Sequence, residues 1–398
     1  MAAPDPRHNV RTLAICQGLY TAAISIDLTL TGLAGYALAV DKRLATLPFS
    51  IIIVTAALTA LVAASLLKRL GRRRGFVIGA TAGMLGGLVS ALAMFRHDFV
   101  LFCVGTAGIG VFQAFAQYYR LAAADESPRD AKARAIATVM TGGVLAALFG
   151  PLLARSAQGW FVAVPFAGAY LLAAALGLAS LLLLLRYRES QHDTAEAVAY
   201  DAHRPLSNIV AQPVFVAAIA NNLIAYAVMV CLMTATPLAM LACGFNVADG
   251  AGVIQWHMLG MFAPAFVSGR LITRFGVLPV SLSGALLLAA SAVLGQASTA
   301  LPAFYVALML LGVGWNFMFV AGTTLLAQSY RPSERARTQG GSEFATSCAA
   351  ALGSFIAAPW LQRYGWGTLN AAVLPLLLIP VLATLYWRFA PRPVVATA

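Results

Sequence analysis

Arg69-Leu70-Gly71-Arg72-Arg73-Arg74 closes one long apolar segment and opens the next. The same skeleton returns 205 positions later as Arg274-Phe275-Gly276-Val277. A second pair of landmarks keeps nearly that offset. Gly108-Ile109-Gly110 leads to Pro128, Lys132 and Arg134, and Gly312-Val313-Gly314 leads at the same distance to Pro332, Arg335 and Arg337. Two landmarks displaced by about half the length of the chain make it two copies of one half. Each basic turn lies between hydrophobic stretches long enough to cross a bilayer.

Composition says what surrounds those stretches. The 398 residues are 61% hydrophobic and 10% charged, where a soluble domain carries about 25% charged residues. Too few polar side chains remain to cover a water-facing surface. The apolar runs are roughly 20 residues long and lack the alternation of barrel strands, so they read as membrane-spanning helices. About twelve runs stand out, over 12–36, 47–67, 76–95, 99–122, 135–155, 163–186, 214–238, 250–271, 278–297, 302–328, 338–361 and 367–388. The expected fold is therefore an all-α membrane protein of twelve transmembrane helices in two six-helix bundles. Residues 1–190 form the first bundle, 191–212 a linker and 213–398 the second bundle. The linker falls in the longest polar break, Arg186 to Gln212, whose Glu189, Asp193 and Glu196 read as a solvated cytoplasmic surface rather than a metal cluster. No soluble catalytic domain fits in what is left.

The net charge of +12 is a topology signal. With an even number of spans, roughly twenty Lys and Arg fall on one side, Lys68 to Arg74, Arg186 and Arg388 among them. Only about five, including Lys42, Arg96 and Arg363, fall on the other. Basic residues favour the cytoplasm, so both termini are expected there. No basic face on a soluble domain exists to bind nucleic acid. The first span has no compact signal-peptide pattern and is expected to be retained. The five cysteines lie in or near apolar spans without a CxxC, and read as packing residues rather than as a disulfide or metal framework. Gly105 to Gly110 superficially resembles a nucleotide loop but lies inside an apolar helix with no strand before it.

The basic turns resemble the loop motif of the major facilitator superfamily, roughly Gly-x-Leu-Ala-Asp-Arg-x-Gly-Arg-Lys/Arg. The first copy matches at Leu66, Arg69, Gly71, Arg72 and Arg73, and the second at Gly269, Leu271, Arg274 and Gly276. Both lack the motif's Asp, with Lys68 and Thr273 in its place, which puts the family's usual charge relay in doubt. The resemblance implies two helical bundles rocking about a central site in alternating access, a functional monomer, and a gating role for Arg69, Gly71, Arg72, Arg73, Gly269, Arg274 and Gly276. Further segments, Tyr119 to Asp125, Met140 to Gly143, Gly314 to Phe317 and Tyr330 to Arg337, resemble a branch of bacterial permeases that includes riboflavin importers. That implies an inner-membrane location and a riboflavin-like planar heterocycle as the substrate. The alternative within the class is proton-coupled efflux of drugs or metabolites. Gly150-Pro151 resembles part of an antiporter motif, which Ala146, Ala154 and Arg155 break.

A charged side chain at mid-membrane costs roughly 2.5–3.5 kcal/mol on insertion scales, so each one needs a reason. Asp27 lies near the middle of the first span and shares a helical face with Gln17, Tyr20 and Thr31. It is expected to bind a proton or a cationic part of the substrate; the alternative is an Asp bonded to a neighbouring helix. Gln113, Gln117 and Arg120, at i, i+4 and i+7, form a second polar stripe. Arg120 suits an anionic or carbonyl-bearing group, or else snorkels or pairs with Asp125. Glu343 is the other carboxylate well inside a span, and serves protons or pairs with Arg335 or Arg337. Asn222 and Tyr226 are i, i+4 neighbours, Trp315 and Asn316 sit mid-span, and Gln255, Trp256 and His257 cannot all face one cavity. Tyr20, Tyr226 and Trp315 suit a planar aromatic ring by stacking. No HExxH, GxSxG or paired catalytic constellation marks an enzyme, and no cofactor or metal is expected. A sensor that kept the fold without flux is the remaining rival. The expected partners are the bilayer, a small-molecule substrate and protons.

Overall fold

The computed structural model describes residues 6–127, 132–187, 204–331 and 334–390, and among them there is no strand. In the first half, α1 (Pro6–Leu38), α2 (Leu47–Leu70), α3 (Arg72–Arg96), α4 (Phe99–Ala116), α5 (Tyr119–Asp125), α6 (Lys132–Ala157) and α7 (Ala167–Arg186) follow one another. After the short α8 (Leu206–Val210), the second half holds α9 (Pro213–Ala242), α10 (Val247–Phe262), α11 (Ala265–Phe275), α12 (Val277–Ala297), α13 (Leu301–Ala327) and α14 (Arg335–Phe389). Linker residues 188–203, with Glu189, Asp193 and Glu196, lie outside the described residues, as do Pro128 and Pro332.

Nine of these helices are long and apolar enough to cross a bilayer, and the bent pair Thr138–Val144 and Phe149–Ala157 within α6 makes a tenth. Two breaks account for the rest of the expected twelve. The α14 helix is interrupted at Gly365, which splits it into two spans. The eighth span is the pair α10 and α11, broken at Ala263-Pro264. Each break has a cause in the sequence. Pro264 cannot donate to the carbonyl four residues before it, and Pro151 bends α6 just upstream for the same reason. The fourth span also tightens at Gln117-Tyr118, between α4 and α5.

The duplication is visible in the backbone. Gly71 has φ 84° and ψ 155°, and Gly276 has φ 88° and ψ 168°. Both lie in a region essentially closed to residues with a Cβ, so the same sharp helix-to-helix corner is built twice from the same glycine. Packing repeats in the same way. In the first half α3 lies on α4 and α7, α2 on α4, and α1 on α6; in the second α12 lies on α13 and α14, α10 on α13, and α9 on α14. The two glycines of each Gly-x-Gly serve this packing. A Cβ on Gly110 would lie 2.4 Å from the carbonyl oxygen of Ile52, and one on Gly312 would lie 2.5 Å from that of His257. Close backbone approach of this kind holds helices together in lipid.

The halves meet mainly at the end opposite the basic turns. Phe49 and Ile52 of α2 join the large apolar cluster of the second half, and Leu238 and Ala358 join a cluster of the first. Ser50 donates to Ser354 across this seam at 3.0 Å. At the basic end Gln117, Arg120 and Glu343 are exposed, and Gly340 and Gly341 have open space where a Cβ would stand. The bundles are closed together at the far end and parted at the basic end.

Candidate functional site

Candidate residues of the first, fourth, seventh, tenth and eleventh spans come near one another between the two halves. Gln17 on α1 and Asn222 on α9 stand at positions related by the duplication, 205 apart, and Tyr20 and Tyr226 lie close to that offset. Tyr20 packs edge-on against Phe112, with ring centroids 5.5 Å apart. The Tyr20 and Tyr226 hydroxyls lie within electrostatic reach of each other, although they belong to different halves. Tyr226 is likewise within reach of Glu343 and Arg120, and those two charges act on one another. Residues 120, 226 and 343 are far apart in the chain and lie within electrostatic reach of one another. Neither Arg120 nor Glu343 is ion-paired with a described residue. The side chains of Asp125 and Arg335 lie outside the described ones, and Arg337 is exposed.

An aromatic wall borders this charged mouth. Tyr226 meets Trp315 edge-on at 5.2 Å and Phe319 at 5.8 Å, while Trp315 and Phe319 stack at 5.0 Å with their planes 9° apart. Phe319 was absent from the sequence reading, although it stands one helical turn beyond Trp315. Beside the wall Asn222 is buried, and its Oδ1 has no partner among the described residues; the Trp315 Nε1 has none among them either. Gly322 makes room for Asn222, because a Cβ there would fall 2.2 Å from its Oδ1.

Asp27 is only 1% exposed. Its Oδ1 accepts from the Thr31 hydroxyl at 3.3 Å, and Thr31 in turn lies 3.0 Å from the Tyr170 hydroxyl of α7. Its Oδ2 has no partner among the described residues. The polar face of α1 therefore turns partly into its own bundle: Thr31 reaches Tyr170 of α7, Gln17 donates to Thr21 at 3.3 Å, and the Tyr20 hydroxyl lies within electrostatic reach of both Asp27 and Tyr226. No signal in the sequence pairs Thr31 with Tyr170, 139 residues away.

Other candidates are placed elsewhere. The tightened turn after α4 separates Gln113 and Gln117 from Arg120, so they do not form one unbroken helical stripe. Gln113 is half-buried, and Gln117 and Arg120 are exposed. Asn316 is buried and donates to the Met261 carbonyl at 2.8 Å, which is a structural bond beside the α10–α11 break. Of the three neighbours on α10, Trp256 is exposed on the outer face, Gln255 is half-buried and His257 is fully buried. The His257 Nδ1–H donates to the Leu308 carbonyl at 2.7 Å, which fixes the tautomer. Among the described residues no group of His, Cys, Asp and Glu has metal-binding geometry.

At the basic turns Arg69 and Arg274 are exposed, and Arg274 lies 5.2 Å over the Phe275 ring. Arg73 donates to the Leu185 carbonyl near the end of α7, where a cation also meets the negative pole of the helix. Gly269 has open space around it. Two carboxylates outside the initial reading hold this end together. Glu126 is buried and accepts from the Asn9 amide and the Tyr187 hydroxyl. Glu334 accepts from the Arg204 guanidinium at 2.7 and 2.8 Å and from the Arg331 N–H at 2.9 Å. The Arg204 bonds, foremost, hold the Glu334 carboxyl down at about 2.

Comparison with known proteins agrees with this architecture. The profile of the Major Facilitator Superfamily matches residues 13–256 and 250–398. The chain is 38% identical to the riboflavin transporter RfnT of Brucella anthropi, over 100% of this chain and 99% of that protein. It is 28% identical to the MFS-type transporter YddS of Bacillus subtilis, over 97% and 92% of the two chains. Among solved structures, a D-xylose-proton symporter superposes with a TM-score of 0.74 at 18% identity, covering 97% of this chain and 98% of the other. The partially occluded inward-open xylose transporter XylE from E. coli gives 0.69 at 16%, covering 96% and 97%. The packing pattern repeated in the two halves and a profile match over residues 13–256 and 250–398 lead to one statement: the chain is a membrane transporter, not an enzyme, and belongs to the Major Facilitator Superfamily.

Proposed function

We propose that this protein takes up riboflavin, or a closely similar planar heterocycle, across the bacterial inner membrane in exchange for or together with protons. The observation that carries the substrate is the 38% identity, end to end, with a riboflavin transporter. The Tyr226–Trp315–Phe319 wall beside a charged mouth fits a molecule with one flat ring system and one polar tail. On this reading the basic end faces the cytoplasm, both termini lie there, and 1–190 and 213–398 act as two bodies joined by 191–212. The bundles rock about the site, so the parted basic end is the release side. Substrate contacts come from Gln17, Tyr20, Gln113, Gln117, Arg120, Asn222, Tyr226, Gln255 and Trp315. Asn316 acts through the α10–α11 break. Asp27 holds the coupling proton inside the first bundle, and Glu343 exchanges protons with the open mouth.

The test is uptake of labelled riboflavin by a riboflavin-auxotrophic bacterium expressing the chain, with and without a protonophore. Wild-type uptake that collapses with the protonophore, and that is lost in Arg120→Ala at equal membrane level, is the expected result. No uptake by well-expressed wild type would overturn the riboflavin reading and put efflux of another small molecule in its place.

A further inference from the structure

A hydroxyl inside a lipid-embedded helix has a default partner, the backbone carbonyl one turn back. On α1 Ser25 donates in this way to the Thr21 carbonyl at 2.7 Å, and Thr29 to the Ser25 carbonyl at 2.7 Å. Thr31 does not follow them. Its hydroxyl donates at 3.3 Å to Oδ1 of Asp27, the side chain one turn back. A threonine hydroxyl has a single proton. With that proton given to Asp27, the 3.0 Å contact between Thr31 and Tyr170 has one sense: the Tyr170 O–H donates and Thr31 accepts. Tyr170 is fully buried on α7 and meets Phe102 edge-on at 5.1 Å, so the donor at the head of this chain is held in place.

The chain ends on a carboxyl group with two unlike oxygens. Oδ1 receives a donor, and Oδ2 has no partner among the described residues. A neutral carboxylic acid carries its proton on one oxygen and accepts on the other. Thr31 occupies Oδ1, so the proton of the acid stands on Oδ2. When that proton leaves, the charge left behind meets a donor already aimed at it, and a hydrogen bond to an ionised group is about twice as strong as one to a neutral group. Tyr20 on α1 itself and Tyr170 on α7 are the titratable groups that act on Asp27. Tyr119 of α5 and Tyr226 of α9 act with Tyr20, and His257 of α10 turns to the Leu308 carbonyl. No cation of α2, α4, α5 or α6 is paired with Asp27 among the described residues.

Resting on the reading of Asp27 as the coupling acid, we infer that Thr31 and Tyr170 are its positioning residues: their donor chain from α7 confines the exchangeable proton to Asp27 Oδ2 and stabilises the carboxylate that remains when the proton leaves. A plain strap between α1 and α7 would need only the Thr31–Tyr170 contact. The donor chain also runs on to the acid, and so its removal is felt by the proton.

The test is an infrared titration of the purified full-length chain, which reads the C=O stretch that only a protonated carboxyl has. Each spectrum is compared with that of the same chain carrying Asp27→Asn, which isolates the Asp27 band without any substrate. Oδ1 is the carbonyl oxygen of the acid, so removal of its donor in Thr31→Val should move the band to higher frequency. The same change should raise the pH at which the band vanishes by about one unit. Tyr170→Phe should move both in the same direction by less, and Thr31→Ser, which keeps the hydroxyl, should leave both at the wild-type values. Band position and midpoint do not depend on the amount of folded protein, so a lower yield does not imitate the effect. A titrating wild-type band whose position and midpoint are unmoved in Thr31→Val or in Tyr170→Phe would overturn the donor chain and leave the coupling reading standing. A wild-type chain with no Asp27 band that comes and goes with pH would overturn both.

Discussion

The Asn316 side-chain amide of α13 donates to the Met261 backbone carbonyl of α10 at 2.8 Å. Met261 stands just before the Ala263-Pro264 break, where the helical ladder stops supplying partners for carbonyl oxygens. In lipid such a group has no water to turn to, so a neighbouring helix satisfies it. Asn316→Ala should therefore lower stability by about 1–3 kcal/mol, read as a lower melting temperature of the purified protein. Riboflavin affinity well below that temperature should be unchanged. Loss of affinity at an unchanged melting temperature would make Asn316 a ligand residue instead.

Gly276 sits at φ 88° and ψ 168°, with nothing within 4 Å of where a Cβ would be. A side chain there meets no clash, only backbone strain. Gly276→Ala should cost on the order of 1–3 kcal/mol. Gly71→Ala should do the same, because its corner has the same geometry. Thermal unfolding of the two variants checks this, and a neutral effect at both would show that the corners relax.

The Glu334 carboxyl is lowered from 4.5 to about 2, chiefly by the bonds from Arg204. A lowered folded value means that the stabilisation is fully present above the unfolded value near 4.5, and fades as pH falls from there through about 2. Removing the partner in Arg204→Gln should thus lower the melting temperature by a constant amount between pH 8 and pH 5. The difference from wild type should close below about 4.5. A difference that varies between pH 5 and pH 8 would point to another titrating group.

Asp27 is buried against Thr31, which is bonded to Tyr170. Asn keeps its size and an acceptor for Thr31 while removing the exchangeable acid. Asp27→Asn should fold normally, retain exchange of labelled for unlabelled substrate across a proteoliposome membrane, and lose accumulation driven by a pH gradient. Loss of both at normal protein level would place Asp27 in substrate binding rather than coupling.

Ser50 and Ser354 join α2 to α14 at 3.0 Å on the closed side of the molecule. Cysteines at both positions should form a cross-link on oxidation that stops transport, and a reductant should restore it. Wild type, with its five free cysteines, serves as the control. Full transport by the cross-linked double variant would mean that this seam need not open.

The membrane class, the spans and the duplication were legible because they rest on local rules. An apolar run of a given length has one way to satisfy its backbone in lipid. A glycine two residues after an arginine, at Gly71 and Gly276, marks a corner that a Cβ would strain. The sequence also singled out Arg120, Tyr226 and Glu343 one at a time, as polar groups that a lipid-facing position would penalise. It left the setting of two others open: Asn316, read as a ligand group, donates to a backbone carbonyl, and of the two readings of Asp27, cavity lining or a bond within the helices, the structure shows a bond to Thr31.

By itself, then, the sequence determined the solvent, the helices, their number and their repeat, because each follows from the cost of exposing polar groups to lipid. Only the tertiary structure decided which polar groups meet: Thr31 with Tyr170, Ser50 with Ser354, Asn316 with Met261. Those meetings depend on how helices rotate and cross. The crossing is set by close glycine contacts and proline breaks distributed over the whole chain, and no local pattern records it.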